Sequence, residues 1–207
     1  MPKQLPALFI ADSKGLDFLN SVATPTDTAI DWLSDGEGLL AWLEQGQLVP
    51  TEVIAGMRRQ AKPAELERVA EQARSLREWF RAFVFRHRGK SLKAADLAEL
   101  EPLNELLERD AGLLRLVVAK RGKANAIELV RARRWRTSGS LLVPVGEALA
   151  QLVANEDFAD VKACEGPACT LMFADHTRGR SRRWCSMAIC GNRAKQAAHR
   201  RRLSENR

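Results

Sequence analysis

All four cysteines of the 207-residue chain lie in its last fifth, as Cys164-Glu-Gly-Pro-Ala-Cys169 and Trp184-Cys185-Ser-Met-Ala-Ile-Cys190. Four residues separate the members of each pair and fifteen separate the pairs. This is the pattern by which four thiolates reach the corners of one tetrahedron, and it points to one Zn2+ per chain held by Cys164, Cys169, Cys185 and Cys190. Two disulfides would need an oxidising compartment. The opening Met-Pro-Lys-Gln-Leu-Pro-Ala-Leu contains no apolar run of secretory length, so a cytoplasmic chain with reduced thiols is expected. Iron–sulfur ligation uses the same thiolates and is the competing metal chemistry. His176 stands outside a ligand set that is already complete. Catalytic zinc keeps a position open for water, which four cysteines would fill. The chain also has no Ser/His/Asp set, no Gly-rich phosphate loop and no tyrosine, so it is not expected to be an enzyme.

Charge singles out the same region. Residues 176–207 hold ten Lys or Arg against Glu205 alone, a net +9, and since the whole chain is +7 the first 175 residues are net −2. A basic segment on a faintly acidic body is the footprint of a polyanion contact, because cations that displace condensed counterions gain affinity for phosphate backbones. Arg193 and Arg200 fall on one line of a C-terminal helix and Lys195 and Arg202 on another, with Arg201 beside them. A helix with such a face fits a DNA major groove. Arg178, Arg180, Arg182 and Arg183 of the preceding turn offer backbone contacts. DNA is the expected partner, with RNA or an acidic protein surface as the alternative. No run approaches a membrane span.

The stretch Arg182-Arg-Trp-Cys-Ser-Met-Ala-Ile-Cys-Gly-Asn-Arg-Ala-Lys195 contains a literal Cys-Gly-Asn-Arg and resembles the signature of CGNR-type zinc fingers. Leu16-Asp17-Phe18-Leu19-Asn20-Ser21 resembles the opening motif of the ABATE domain that precedes this finger in the bacterial family. The resemblance implies a stress-induced transcriptional regulator whose N-terminal domain senses an effector or forms a homodimer. Asp17, Asn20 and Arg77 are the polar residues that would line an effector pocket there.

These sites need elements to position them. The pattern predicts a mostly α protein with one β-hairpin (α+β): a helical domain over 1–158 and a treble-clef-like four-cysteine zinc finger over 159–207. Asp12 or Ser13 can cap a first helix through Val22, and short helices follow around 39–43 and from Thr51. Pro63 opens a long central helix with apolar residues at 66, 69, 73, 76, 80 and 83/84, while Glu65, Arg68, Glu71, Arg74, Arg77, Glu78 and Arg81 make a solvated opposite face. Further helices are expected from Ser91, from Pro102 and from Gly139. Between 113 and 135 the period changes to two, which predicts a hairpin lying on the helices, since a lone hairpin needs a surface to cover it. In the finger, Leu171 and Phe173 are expected to pair back onto Arg183-Trp184.

Overall fold

The shortest helix sits at the centre of the protein. Helix α1 (Lys14–Leu19) buries Gly15, Leu16, Asp17, Phe18 and Leu19, and six residues hold a helix only through such packing. A Cβ on Gly15 would stand 2.7 Å from the Ala148 carbonyl oxygen and 2.8 Å from Leu152 Cβ, so glycine is what lets α1 cross the penultimate helix this closely. Ser13 occupies the N-cap position, but its hydroxyl makes no capping bond. The computed structural model describes residues 6–24, 28–110, 112–121 and 124–205.

A two-residue strand pair, β1 (Val22–Ala23) with β2 (Ile30–Asp31), leads to α2 (Gly36–Gln45), which is capped by Asp35 accepting from Gly38 N. Helices α3 (Thr51–Gln60) and α4 (Pro63–His87) follow. Buried Leu66, Val69, Ala70, Ala73, Phe80, Phe83 and Val84 form the α4 stripe that the spacing predicted. The charged face of α4 is not all solvated. Arg74 donates to the Leu33 and Ser34 carbonyls, Arg81 to the Leu19 carbonyl, and Arg77 is 3% exposed. Arginines three and four residues apart thus clamp the 19–34 segment, a use that a mixture of charges does not reveal.

A 3-10 segment over Ala94–Leu100 replaces the helix expected from Ser91, and α5 (Glu101–Leu107) carries Pro102 in its first turn. After the next hairpin, another 3-10 turn (Ser138–Leu142) feeds α6 (Val143–Asn155). One hydrophobic core then runs from Ala11 through Phe158, Val161 and Phe173 to Cys190. The finger is therefore built into the body and is not tethered to it. No helix among the described residues is long and apolar enough to cross a membrane.

The hairpin, β3 (Leu113–Arg121) with β4 (Ala124–Ala132), forms where the period-two pattern placed it. It does not lie on the helices. No described residue of either strand belongs to the core or packs against it, and Leu114, Leu116, Val118, Ile127 and Leu129 are exposed. Its base is pinned by Arg133, paired with Asp110 and Glu147.

Candidate metal centre

The metal ligands come from two short devices. Strand β5 (Val161–Ala163) delivers Cys164, and the chain turns tightly to Cys169 through Ala168 in the left-handed region at φ 61°. Cys169 N donates to the Gly166 carbonyl at 3.0 Å, closing the knuckle. A Cβ on Gly166 would lie 3.0 Å from Cys190 Sγ and 3.3 Å from Cys169 Cβ, so this glycine lets the knuckle close over the sulfurs. Of the second pair, Cys185 precedes a π-type turn (Met187–Gly191) and Cys190 lies within it, where Cys190 N and Gly191 N both donate to the Ser186 carbonyl. Helix α7 (Asn192–Glu205) continues from this turn.

Strand β6 (Met172–Ala174) pairs antiparallel with β5, Val161 opposite Ala174 and Ala163 opposite Met172. The partner is thus the strand before the knuckle and not the 183–184 segment, which meets the knuckle through Glu165 N donating to the Arg183 carbonyl. The knuckle thus joins the two paired strands and the ligand-bearing helix follows them, the parts of a treble-clef-like finger.

All four cysteines are free, and their sulfurs lie within 4.8 Å of one another. Cys169 and Cys185 Sγ are 3.9 Å apart and Cys185 and Cys190 Sγ 3.6 Å. Tetrahedral ligation with Zn–S near 2.3 Å requires S–S edges of about 3.8 Å, whereas a disulfide needs about 2.05 Å. The donor set and its spacing fit a tetrahedral metal. Cys164 Sγ also accepts N–H bonds from Gly166 and Cys185 at 3.4 and 3.3 Å, the donors a thiolate needs. As four thiols the groups oppose one another. The hydrogen bond from Cys185 draws Cys169 down to about 5, while burial pushes Cys190 up to about 12 and the bond to Cys169, with burial, raises Cys185 further. A divalent cation removes that conflict, because it lets all four sulfurs carry charge.

Charged residues around the sulfurs hold this geometry. Asp175 is fully buried and accepts from Lys162 Nζ at 2.6 Å, Thr177 Oγ1 at 2.6 Å and Arg182 N at 2.9 Å. Burial opposes its ionisation, but Lys162 and these donors outweigh that and hold the carboxyl far below the usual range. Arg182 donates to the Trp184, Cys185 and Ala174 carbonyls, pairs with Asp12 at 3.1 Å and lies 4.3 Å over the Phe173 ring. No local signal marks Lys162 or Asp12 for these roles.

The basic residues divide accordingly. Arg180 is paired with Asp160 and donates to the Asp175 carbonyl, and Arg183 is paired with Glu165 at 2.6 Å. Arg182 is tied into the fold, whereas Arg180 and Arg183 meet their acids with side chains that stay 52% and 61% exposed. Arg178 is exposed, as are Lys195, Arg200 and Arg202 on α7, and Arg193 is half-buried. None of these five has an ion pair among the described residues. The Arg201 side chain lies outside the described residues.

Asp17, Asn20 and Arg77 do not converge on a pocket. Asp17 Oδ1 accepts the Ile10 and Ala11 N–H groups at 3.0 Å. Asn20 donates to the Met172 carbonyl at 2.8 Å and accepts from Met172 N at 2.9 Å, so its amide completes a two-point bridge from α1 to β6. Arg77 grips both Asp31 oxygens at 2.8 Å and also bonds Ser21 and Glu78. Each polar group is satisfied by the protein itself, so the effector-pocket expectation is withdrawn. Asn20 and Arg77 join segments far apart in sequence, whereas Asp17 ties down the segment just before its own helix.

The sequence model of the CGNR zinc finger family matches residues 161–203. That of the ABATE family, whose description reads "putative stress-induced transcription regulator", matches residues 13–156. No curated protein matches the chain closely enough to lend it a function. With more than half of its length in the second match, the chain belongs to the ABATE family and carries a CGNR zinc finger at its C-terminal end.

Proposed function

We propose that this protein is a non-enzymatic, zinc-binding transcriptional regulator that contacts DNA with α7. The observation that carries the reading is the state of the cations. Arg193, Lys195, Arg200 and Arg202 on α7 have no acidic partner among the described residues, in a chain that pairs many of its other arginines. Zinc, when bound, supplies a cross-link that replaces the core so small a module cannot build. Cys164 and Cys169 hold the knuckle, and Cys185 and Cys190 fix the π-type turn from which α7 starts. The first turn of α7 is thereby anchored while the whole helix, about 20 Å long at 1.5 Å per residue, presents its far end to a groove.

Four thiolates complete the tetrahedron and leave no position for a substrate water, which supports a structural metal. Reduced thiols in this role suit the cytoplasm. Five free cations, the four on α7 and Arg178, imply that log affinity falls with log salt at a slope of about −4 to −5, from roughly −0.9 per neutralised phosphate. Fluorescence anisotropy of the zinc-loaded protein on a footprinted duplex and on scrambled DNA measures both slope and selectivity. A regulator prefers the footprinted site. Equal binding to both, or preference for RNA, would favour a non-specific or RNA-binding finger.

A further inference from the structure

Nine large hydrophobic residues are exposed among those described, and five of them occupy one face of the β3–β4 hairpin. Leu114, Leu116 and Val118 are 69%, 68% and 71% exposed, Ile127 and Leu129 77% and 62%. The register sets Leu116 opposite Leu129 and Val118 opposite Ile127, with Leu114 two residues along the same face. Arg115 and Glu128 alternate to the other face. The same register sets Arg131 opposite Leu114 and Lys120 beyond Val118, so the stretch without charge is the centre of the face, Leu116, Val118, Ile127 and Leu129. Nothing described in the body covers it, and a two-stranded sheet with an apolar face is marginal in water without a cover.

We propose that a second copy of this chain covers it, the two hairpin faces packing against each other about a two-fold axis. Area is the first argument. Five residues at about two-thirds exposure leave on the order of 600 Å2 per chain, at or above the largest apolar patch of a typical monomer. Two such faces bury about 1,200 Å2, the lower bound of a stable specific interface. Chemistry is the second argument. The opposed Leu116/Leu129 and Val118/Ile127 pairs at the centre of the face are apolar and self-complementary under a two-fold rotation, with Arg131 and Lys120 at the ends of the register. The ion pairs at Arg133 hold the base of the hairpin, so the face is presented already ordered.

The test is the mass in solution of the full-length, zinc-loaded protein, a readout that does not depend on DNA binding. Sedimentation at tens of micromolar should give twice the 23.1 kDa chain mass. The double substitution L116E/L129E should give the single-chain mass with metal stoichiometry and far-ultraviolet circular dichroism unchanged. L97E, a charge at an exposed leucine away from the hairpin, should leave the dimer intact. If the glutamates prevent folding, Leu129→Thr, which keeps β propensity, should still raise the dimer dissociation constant at least tenfold. A monomeric wild type, a dimer that survives L116E/L129E or Leu129→Thr, or equal dissociation by L97E would overturn the proposal.

Discussion

Residues 178–183 and helix α7 each carry four described cations and read alike in sequence, yet three of the four in the first meet an acid and none in the second does among the described residues. Arg180, Arg182 and Arg183 meet Asp160, Asp12 and Glu165; Arg180 also donates to the Asp175 carbonyl and Arg182 to that of the ligand Cys185. Arg193, Lys195, Arg200 and Arg202 meet no acid among the described residues. The difference lies in what each segment lies against. The first is folded onto a body with acids to offer; the second projects beyond it, and its own sequence holds only Glu205. Unpaired cations on one helix repel one another and add nothing to stability, whereas a polyanion relieves them. Charge density in a sequence therefore does not measure charge available for binding.

The largest effect should come from removing what anchors both segments. Metal chelation, or Cys185→Ser, should abolish DNA binding and release the knuckle and residues 184–205, because structural zinc sites contribute on the order of 10 kcal/mol of folding free energy. Leu171, Met172, Phe173 and Ala174 are fully buried in the shared core, so β6 and the helical body should persist. Hydrogen exchange resolves this. Loss of protection across the whole chain would mean that the finger and body fold as one unit.

A smaller effect separates structural arginines from binding ones. Arg182→Ala removes an ion pair and several carbonyl contacts and should cost about 2–3 kcal/mol. That corresponds to a melting temperature lower by roughly 5–10 °C for a chain of this length. Arg200→Ala removes no ion pair and should move it by less than about 1 °C. Comparable shifts in calorimetry would erase the distinction.

A third effect, confined to a pH window, concerns the buried carboxyl of Asp17 in α1. Burial raises Asp17 from 3.8 to about 6, against the opposing Ala11 and Ile10 N–H bonds. Between those values the folded state holds the proton more tightly. Its contribution to stability is therefore largest below pH 3.8 and is lost as pH rises through 6, a change of up to about 3 kcal/mol. Asp17→Asn keeps the acceptor oxygen and should flatten this dependence, leaving the variant at least as stable as wild type at pH 7 in urea titrations. A less stable variant at pH 7 would show that the carboxylate charge itself is needed.

What was legible in the sequence was whatever a local pattern encodes. Cys164, Cys169, Cys185 and Cys190 declare a tetrahedron by spacing, Pro63 and the apolar stripe declare α4, and the period-two run from Leu113 declares a hairpin. The uses that escaped are contacts across long separations. Asn20 meets Met172 152 residues away and Arg182 meets Asp12 170 residues away, so an arginine in a basic run reads as surface whether or not it is buried in bonds. The hairpin shows the same limit. Alternating Leu and Val on β3 look identical whether their cover is a helix of the same chain or lies outside it.

The most direct test of the division between fold-bound and free cations is a pair of binding titrations over a salt series, with Arg200→Ala and Arg183→Ala on the same footprinted duplex. If α7 makes the contact, Arg200→Ala weakens binding and, as a phosphate contact, lowers the salt slope by about 1; as a base contact it costs about 1–3 kcal/mol on the preferred site alone. Arg183→Ala, already neutralised by Glu165, leaves both affinity and slope as in wild type. The opposite outcome, loss on Arg183→Ala with Arg200→Ala silent, would contradict the account.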